Sequence, residues 1–254
     1  MWARSGGSAA PPLRELIEFG DGGTPDQPAA ERTAARAANR LGRAWRQYDE
    51  AGLLLCDRYD FKGNLLEKTR QVIKDHQILA VYTQAAKNHW RIAPYGVNWL
   101  PPRGSTLGKH ATALLDPTLY ETTSTYDALN RVVSVRYPKD VSGQRSLLRA
   151  RYNRGGALER VELDGTVYVD RIAYNARGQR MLIAHGNGVM TRYAYDPRSG
   201  RLARLRSEAF TPLPGPTYRP RGPALQDYAY TYDLTDVGRD HVVVDVRFEL
   251  PKPP

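Results

Sequence analysis

The feature that most constrains this chain is a short internal repeat, in which tyrosine and then aspartate or asparagine precede a glycine or asparagine a few residues later. The run ETTSTYDALNRVV, residues 121–133, shows one copy. Repetition of this kind indicates an array of similar supersecondary units. The repeat positions are Tyr48, Asp49, Gly52, Tyr59, Asp60, Gly63, Tyr126, Asp127, Asn130, Tyr152, Asn153, Gly156, Tyr174, Asn175, Gly178, Tyr195, Asp196, Gly200, Tyr232 and Asp233.

The residue types of the repeat predict a turn between two strands. The aspartate or asparagine side chain accepts hydrogen bonds from backbone N–H groups just ahead of it. Glycine then supplies a positive φ, and Asn130 is the best-tolerated replacement there. Tyrosine suits a half-buried strand, and we expect its hydroxyl to stay in water. We therefore predict a structural role for these positions.

A second turn falls between successive repeats and completes a hairpin array. VELDGTVYV places Asp164 and Gly165 between two alternating runs, and Asp-Gly is a strong hairpin signal. Residues 186–188, Gly-Asn-Gly, interrupt the next pair of runs in the same way. The predicted fold is mainly β, a β-hairpin array with minor helices in the N-terminal third. No helix longer than two turns is expected between Tyr126 and Arg206.

Composition shifts predict four segments along the chain. Residues 1–40 are irregular or helical, 41–110 carry two repeats, 111–233 form the repeat region, and 234–254 are a divergent tail. Within them we predict a helix over 28–41 that ends at Gly42, a second helix over 70–88, and Pro/Gly-rich connections over 91–108 and 211–223.

The tail gives two opposing signals. HVVVDVRFEL, residues 241–250, alternates apolar and polar side chains, which predicts a half-buried strand. It follows a repeat that reaches glycine only at Gly238, and terminal segments are ordered only when something holds them. We hypothesise that the tail is loosely held outside the sheet.

Composition and motifs argue against several functions. No apolar run approaches the roughly 20 residues that span a bilayer, and the first residues lack the apolar core of a secretory signal. The single Cys56 excludes an intramolecular disulfide. No histidine pair has metal-ligand spacing, and no G-x-S-x-G elbow occurs. We predict no catalytic, metal or cofactor site, and no enzyme.

Two binding functions stay open from the residues alone. The net charge of +10 would suit nucleic acid, but the basic side chains are scattered and match no recognition motif, so no nucleic-acid partner is predicted. Repeated tyrosine and arginine side chains could form a glycan- or surface-binding face. We favour the purely structural interpretation, in which these tyrosines pack against side chains of neighbouring strands.

The repeats resemble the YD repeats of the Rhs family, and most closely the B component of insecticidal toxin complexes. The likeness rests on RQYDEAGLLLCDRYDFKGNLLEKTRQV at 46–72 and TTSTYDALNRVVSVRYP at 122–138, and it extends to LQDYAYTYD at 225–233. Residues 41–110 correspond to the middle region of that component, and the later repeats to the start of its shell.

The resemblance implies a structural role without chemistry. In that family the repeats form a hollow β-shell around a toxin polypeptide, which implies a toxin-bearing C component and a pore-forming A component as partners, and an extracellular complex. This chain is too short for a whole shell, and its end after Asp233 matches nothing in the family. Asp196-Pro197 is not the family's protease site. A remnant of a truncated toxin gene is an alternative.

Overall fold

The structure, a computed structural model, describes residues 11–21, 27–83, 85, 87, 89–233 and 243–248. They form fourteen strands, three α-helices and one 3₁₀ helix. The chain divides into two compact units, Met1–Ser146 and Leu147–Pro254. The fold is mainly antiparallel β, which confirms the fold class predicted from the repeat. The four-segment division at residues 41, 111 and 234 stays a prediction.

The first unit is a sheet whose strands follow one another in chain order, each antiparallel to the next. Its strands are β1 Leu16–Phe19, β2 Ala44–Asp49, β3 Gly52–Tyr59, β4 Leu65–Val72, β5 Tyr120–Tyr126 and β6 Val132–Lys139. Its helices are α1 Ala29–Ala37, α2 Asp75–Leu79, which runs into the 3₁₀ helix Ala80–Tyr82, and α3 Leu107–Leu114.

The core of the first unit lies between the sheet and α3. Trp99 at its centre is fully buried, packs edge-on against Tyr48 with ring centroids 5.1 Å apart, and donates its indole N–H to the Asp49 carbonyl at 3.2 Å. Ile73, Ala111 and Leu115 are buried in the same cluster. The stretch 91–108, predicted only as a connection, therefore supplies a central core side chain.

The two predicted helices are present but differ in extent. The first ends earlier than expected, because Asn39 adopts the left-handed conformation (φ 54°) two residues after α1, and Gly42 (φ 68°) belongs to the following turn. A helix starting at residue 70 was wrong, since Val72 still pairs with Gly52 in the sheet and α2 begins at Asp75. Strand pairing overrides local helix propensity here.

The second unit is also a sheet in chain order, with no helix among its described residues. Its strands are β7 Arg145–Tyr152, which begins at the boundary of the units, β8 Leu158–Leu163, β9 Thr166–Tyr174, β10 Arg180–His185, β11 Val189–Tyr195, β12 Leu202–Leu213, β13 Thr217–Asp233 and β14 Val243–Phe248. All residues between Tyr126 and Arg206 are described, so the expectation of no long helix there is confirmed.

The proline-rich stretch 211–223 is a long hairpin and not the predicted connection. Leu213 pairs with Thr217 across a three-residue loop, and the ladder continues to Ala209 and Arg221. Pairing of β11 with β12 stops at Ala209, and pairing of β13 with β14 begins at Tyr228, so the hairpin tip has free outer edges among the described residues. Proline is tolerated on strand edges, which explains the error.

The tail contains an integrated strand, so the hypothesis of a loosely held tail was wrong for the residues that are described. β14 pairs with β13 from Asp233↔Val243 to Tyr228↔Phe248. A strand with period-two alternation next to an open strand edge gains ladder hydrogen bonds by pairing. Residues 234–242 and 249–254 lie outside the described residues.

Candidate functional site

The repeat turns share one hydrogen-bonded geometry. At Asn175 the side-chain oxygen accepts the N–H groups of Arg177 at 2.9 Å and Gln179 at 3.0 Å, and Gly178 (φ 76°) donates its N–H to the Asn175 carbonyl at 3.0 Å. The same backbone bond closes the turns that start at Asp60, Asp127 and Asn153. The turn that starts at Asp196 is one residue longer, and Gly200 donates its N–H to the Asp196 carbonyl at 2.8 Å. The residue at positive φ in those turns is Gly63, Asn130, Gly156 and Gly200.

Five repeat tyrosines donate their hydroxyls to main-chain carbonyls at the start of an earlier strand in the same unit. We call these hydrogen bonds the tyrosine row. Each acceptor is the carbonyl of the first residue of an even-numbered strand. The bonds are Tyr59 to Ala44 at 2.8 Å, Tyr126 to Leu65 at 3.1 Å, Tyr174 to Leu158 at 2.9 Å, Tyr195 to Arg180 at 3.0 Å and Tyr232 to Leu202 at 2.8 Å.

The tyrosine row corrects the expectation that these hydroxyls stay in water. A carbonyl at the start of a strand needs a donor, and the hydroxyl of the next repeat supplies it. Each bond therefore ties one hairpin to its predecessor.

Side chains add further links between neighbouring turns within each unit. In the first unit, the Asn64 Nδ2 group donates to Asn130 Oδ1 at 2.9 Å, joining the turn after β3 to the turn after β5. In the second unit, Gln179 Nε2 donates to the Gly200 carbonyl at 2.7 Å. Both donors directly follow the turn glycine, Gly63 or Gly178, and the sequence analysis assigned no role to either of them.

The first repeat, Tyr48-Asp49-Gly52, stands apart from the row. A single strand, β3, separates it from the next repeat, so its turn lies at the opposite end of the strands. Tyr48 is buried beside Trp99. Gly52 (φ 130°) is required for close approach, since a Cβ there would lie 2.1 Å from the Gln71 carbonyl oxygen. This repeat contributes to the core of the first unit.

One turn of the same geometry escaped the sequence analysis. Asp140 Oδ1 accepts the N–H groups of Ser142 at 2.8 Å and Gln144 at 3.0 Å, and Gly143 has φ 79°. The signal was present, because aspartate precedes glycine by three residues as in the repeats. The turn was missed because the repeat was defined by its tyrosine, and no tyrosine stands directly before Asp140.

The electrostatics of the turns favour ionised carboxylates. The side-chain hydrogen bond from Arg131 lowers the pKa of Asp127, and backbone and side-chain hydrogen bonds from Ser199 lower the pKa of Asp196. Arginine–carboxylate pairs recur on the strands as well. They include Arg14–Glu50, Arg46–Glu18, Arg58–Glu67, Arg70–Asp49, Arg171–Glu159 and Arg160–Glu162. These pairs place acidic side chains next to several of the arginines, on the strands as well as in the turns.

The acidic and histidine side chains that could take part in catalysis make contacts that stabilise the fold. Glu159 lies 3.4 Å from Arg171, Glu162 lies 2.8 Å from Arg160, and a His110 ring nitrogen lies 2.8 Å from the Asn98 carbonyl. Among the described residues, no group of three or more histidine, cysteine, aspartate or glutamate side chains could hold a metal ion. No helix in that part of the chain is long and apolar enough to cross a membrane.

Comparison with known proteins connects this architecture to toxin subunits. The chain is 26% identical over 211 residues to toxin subunit YenC2 and 26% identical over 218 residues to toxin subunit YenC1, both from Yersinia entomophaga. The alignments cover 77% and 81% of this chain. The chain spans only 18% of the length of either relative. No known protein-family profile matches it.

Solved toxin structures share the fold. The crystal structure of TcdB2-TccC3 aligns with 97% of this chain and 10% of its own length, at a TM-score of 0.67 and 23% identity. A Photorhabdus luminescens Tc holotoxin pore aligns with 97% of this chain at a TM-score of 0.66 and 22% identity. The predicted resemblance to toxin-complex subunits is confirmed.

Proposed function

We propose that this chain, a relative of the YD-repeat subunits of toxin complexes, is a section of a non-catalytic β-wall that encloses a toxin polypeptide. The observation that carries the proposal is the tyrosine row. Within each unit, its bonds fasten a hairpin to an earlier strand through the main chain, so neighbouring hairpins are linked by more than the strand ladder. A wall needs this continuity and needs no reactive group.

The second unit supports the same interpretation. Its described residues form a sheet without a covering helix, and only a few of its apolar side chains are buried, among them Ile172, Ile183, Ala184 and Met190. A sheet of this kind gains stability from neighbours along the array, as repeat proteins do. The partners that we propose are the other toxin-complex components, a toxin-bearing one and a pore-forming one, in an extracellular assembly.

The proposal can be tested by grafting. Residues 11–233 would replace the matching tenth of TcdB2-TccC3, with the matching section of YenC2 grafted into the same place as a control. We expect the graft to assemble and to leave the enclosed polypeptide as resistant to added protease as in the parent. If the YenC2 graft protects the polypeptide and this graft assembles but does not, the wall function is refuted.

The glycan-binding alternative requires tyrosine side chains that are free to contact a sugar. Sugar binding needs exposed ring faces and available hydroxyls, whereas the hydroxyls of Tyr59, Tyr126, Tyr174, Tyr195 and Tyr232 are engaged with carbonyl groups. Retention of the whole chain on a glycan array would favour this alternative.

A further inference from the structure

A cavity in the first unit lies between one face of the sheet and α3, and the wall function does not use it. We call it the α3 cavity. Its volume is about 760 Å³, and ligand sites are typically about 300–1,000 Å³. On its sheet side, Glu18 pairs with Arg46, and Arg46 pairs with Leu55. Tyr48 pairs with Leu53 two residues further along β2, so these side chains share one face of the sheet. The helix side is formed by residues on one side of α3, namely Leu107, Gly108, Ala111 and Thr112.

The Tyr48 hydroxyl has no hydrogen-bond partner among the described residues, although only 3% of Tyr48 is exposed. The ring packs against Trp99, with ring centroids 5.1 Å apart, and the side chain lines the cavity. Burial, and then the nearby Glu18 carboxylate, raise the pKa of Tyr48, so the hydroxyl stays protonated and can donate. The hydroxyls of the tyrosine row donate to main-chain carbonyls, whereas this one is available to a ligand.

Glu18 and Arg46 form an ion pair on the same side of the cavity. Arg46 Nη1 lies 3.1 Å from Glu18 Oε2, and the Arg46 guanidinium carbon lies 3.7 Å from the centre of the Trp45 ring. The ion pair and the stacking hold the guanidinium in place, and 36% of the Arg46 side chain stays exposed. An arginine has five N–H donors, and Glu18 accepts a hydrogen bond from one of them. Because the two charges balance, this side of the cavity suits a neutral group that has both a donor and an acceptor.

The rest of the lining is apolar or already bonded. On the β4 side, Gln71 Nε2 donates to the Asp116 carbonyl at 3.1 Å, and Lys74 Nζ donates to the Ala113 carbonyl at 2.8 Å. The apolar part of the lining includes Leu53, Leu55, Leu107, Ala111 and Leu115. The polar groups that are available to a ligand therefore lie on the side of β1 and β2, with leucine side chains next to them.

We propose that the α3 cavity binds a peptide segment through one large apolar side chain and the main-chain amide next to it. The apolar side chain contacts Leu53, Leu55 and Leu107. The amide carbonyl accepts from the Tyr48 hydroxyl or from Arg46, and the amide N–H donates to Glu18. An amide is neutral and offers one donor and one acceptor, which matches a hydroxyl beside a balanced ion pair. This binding does not depend on the wall function, because all of these groups lie within the first unit.

The test uses the full chain and the peptide acetyl-Gly-Phe-Gly-amide, with acetyl-Gly-Ala-Gly-amide as the matched peptide. Tryptophan fluorescence follows binding, because Trp45 contacts Arg46 and Trp99 contacts Tyr48. N-acetylphenylalanine, a carboxylate, is compared with its amide to test whether the site selects a neutral group.

Two variants change the cavity without a cost to the fold. Tyr48→Phe removes only the unbonded hydroxyl. Gly108→Leu adds a side chain on the cavity side of α3, where a Cβ would have no other atom within 4 Å, and leucine favours a helix over glycine. Ala113→Leu is the control, since it adds apolar atoms at an exposed position of α3 that does not line the cavity. Thermal melting of each variant checks that it folds.

We expect the phenylalanine peptide to bind at least tenfold more tightly than the alanine peptide, because a larger apolar surface is buried. Gly108→Leu should weaken its binding at least tenfold and Tyr48→Phe about fivefold, both with unchanged or higher melting temperatures. Ala113→Leu should change the affinity less than twofold. Equal affinity for the two peptides, or equal effects of Gly108→Leu and Ala113→Leu, would overturn the proposal. So would tighter binding of N-acetylphenylalanine than of its amide, or a lower melting temperature of Tyr48→Phe with unchanged affinity.

Discussion

The tyrosine row should stabilise the fold, and Tyr174→Phe tests one bond of it. The substitution removes only the hydroxyl, which donates to the Leu158 carbonyl at 2.9 Å in a partly buried site. A net hydrogen bond contributes about 0.5–1.5 kcal/mol, and the carbonyl left behind loses its donor. We therefore expect the free energy of unfolding to fall by about 1 kcal/mol, and the melting temperature to fall by about 3–5 °C.

The same strand provides the control. Tyr168 is 56% exposed, and its hydroxyl has no hydrogen bond to any described residue. Tyr168→Phe removes the same atom from β9 and should change the free energy of unfolding by less than about 0.5 kcal/mol. Urea unfolding followed by far-UV circular dichroism gives both values. Equal stability of the Tyr174→Phe and Tyr168→Phe variants would refute the view that the tyrosine row holds the hairpins together.

Four further changes test other parts of the fold. Gly165→Val should cost about 1 kcal/mol or more in thermal melts, because φ is 80° there, while Gly165→Asn should cost less. Trp99→Ala should cost about 3–5 kcal/mol in denaturant titrations, since Trp99 is fully buried. Arg204 lowers the pKa of Asp227 in the folded chain, so this carboxylate stabilises the fold above about pH 4 and loses that effect as the pH falls further. Asp227→Asn should therefore be less stable at pH 7, with a smaller difference from the natural chain below pH 4. Truncation after Asp233 removes β14 and should lower the melting temperature, and an unchanged value would show that this pairing contributes nothing.

The turns were predictable from sequence because their chemistry is local. An aspartate or asparagine and a glycine within four residues determine both the hydrogen bonds and the φ angle, as at Asn175 and Gly178. The contacts between elements were not predictable. The acceptor of the Tyr126 hydroxyl is the carbonyl of Leu65, 61 residues earlier, and a carbonyl has no signature in a sequence. Trp99 lies in a proline-rich stretch without periodicity, so its central place in the core was also hidden.

The acceptors in the tyrosine row are of a kind that lets the amino-acid sequence change without loss of the hydrogen bonds. Every acceptor is a main-chain oxygen, and the residues that carry it are as different as Ala44, Leu65 and Arg180. A mutation at an acceptor position changes a side chain and leaves the oxygen in place. The hydrogen bond therefore restricts the residue type at the tyrosine position and leaves the residue type at the acceptor position unrestricted. A chain with this arrangement can therefore exchange the residue at every acceptor position and keep the hydrogen bond, provided that the tyrosine stays.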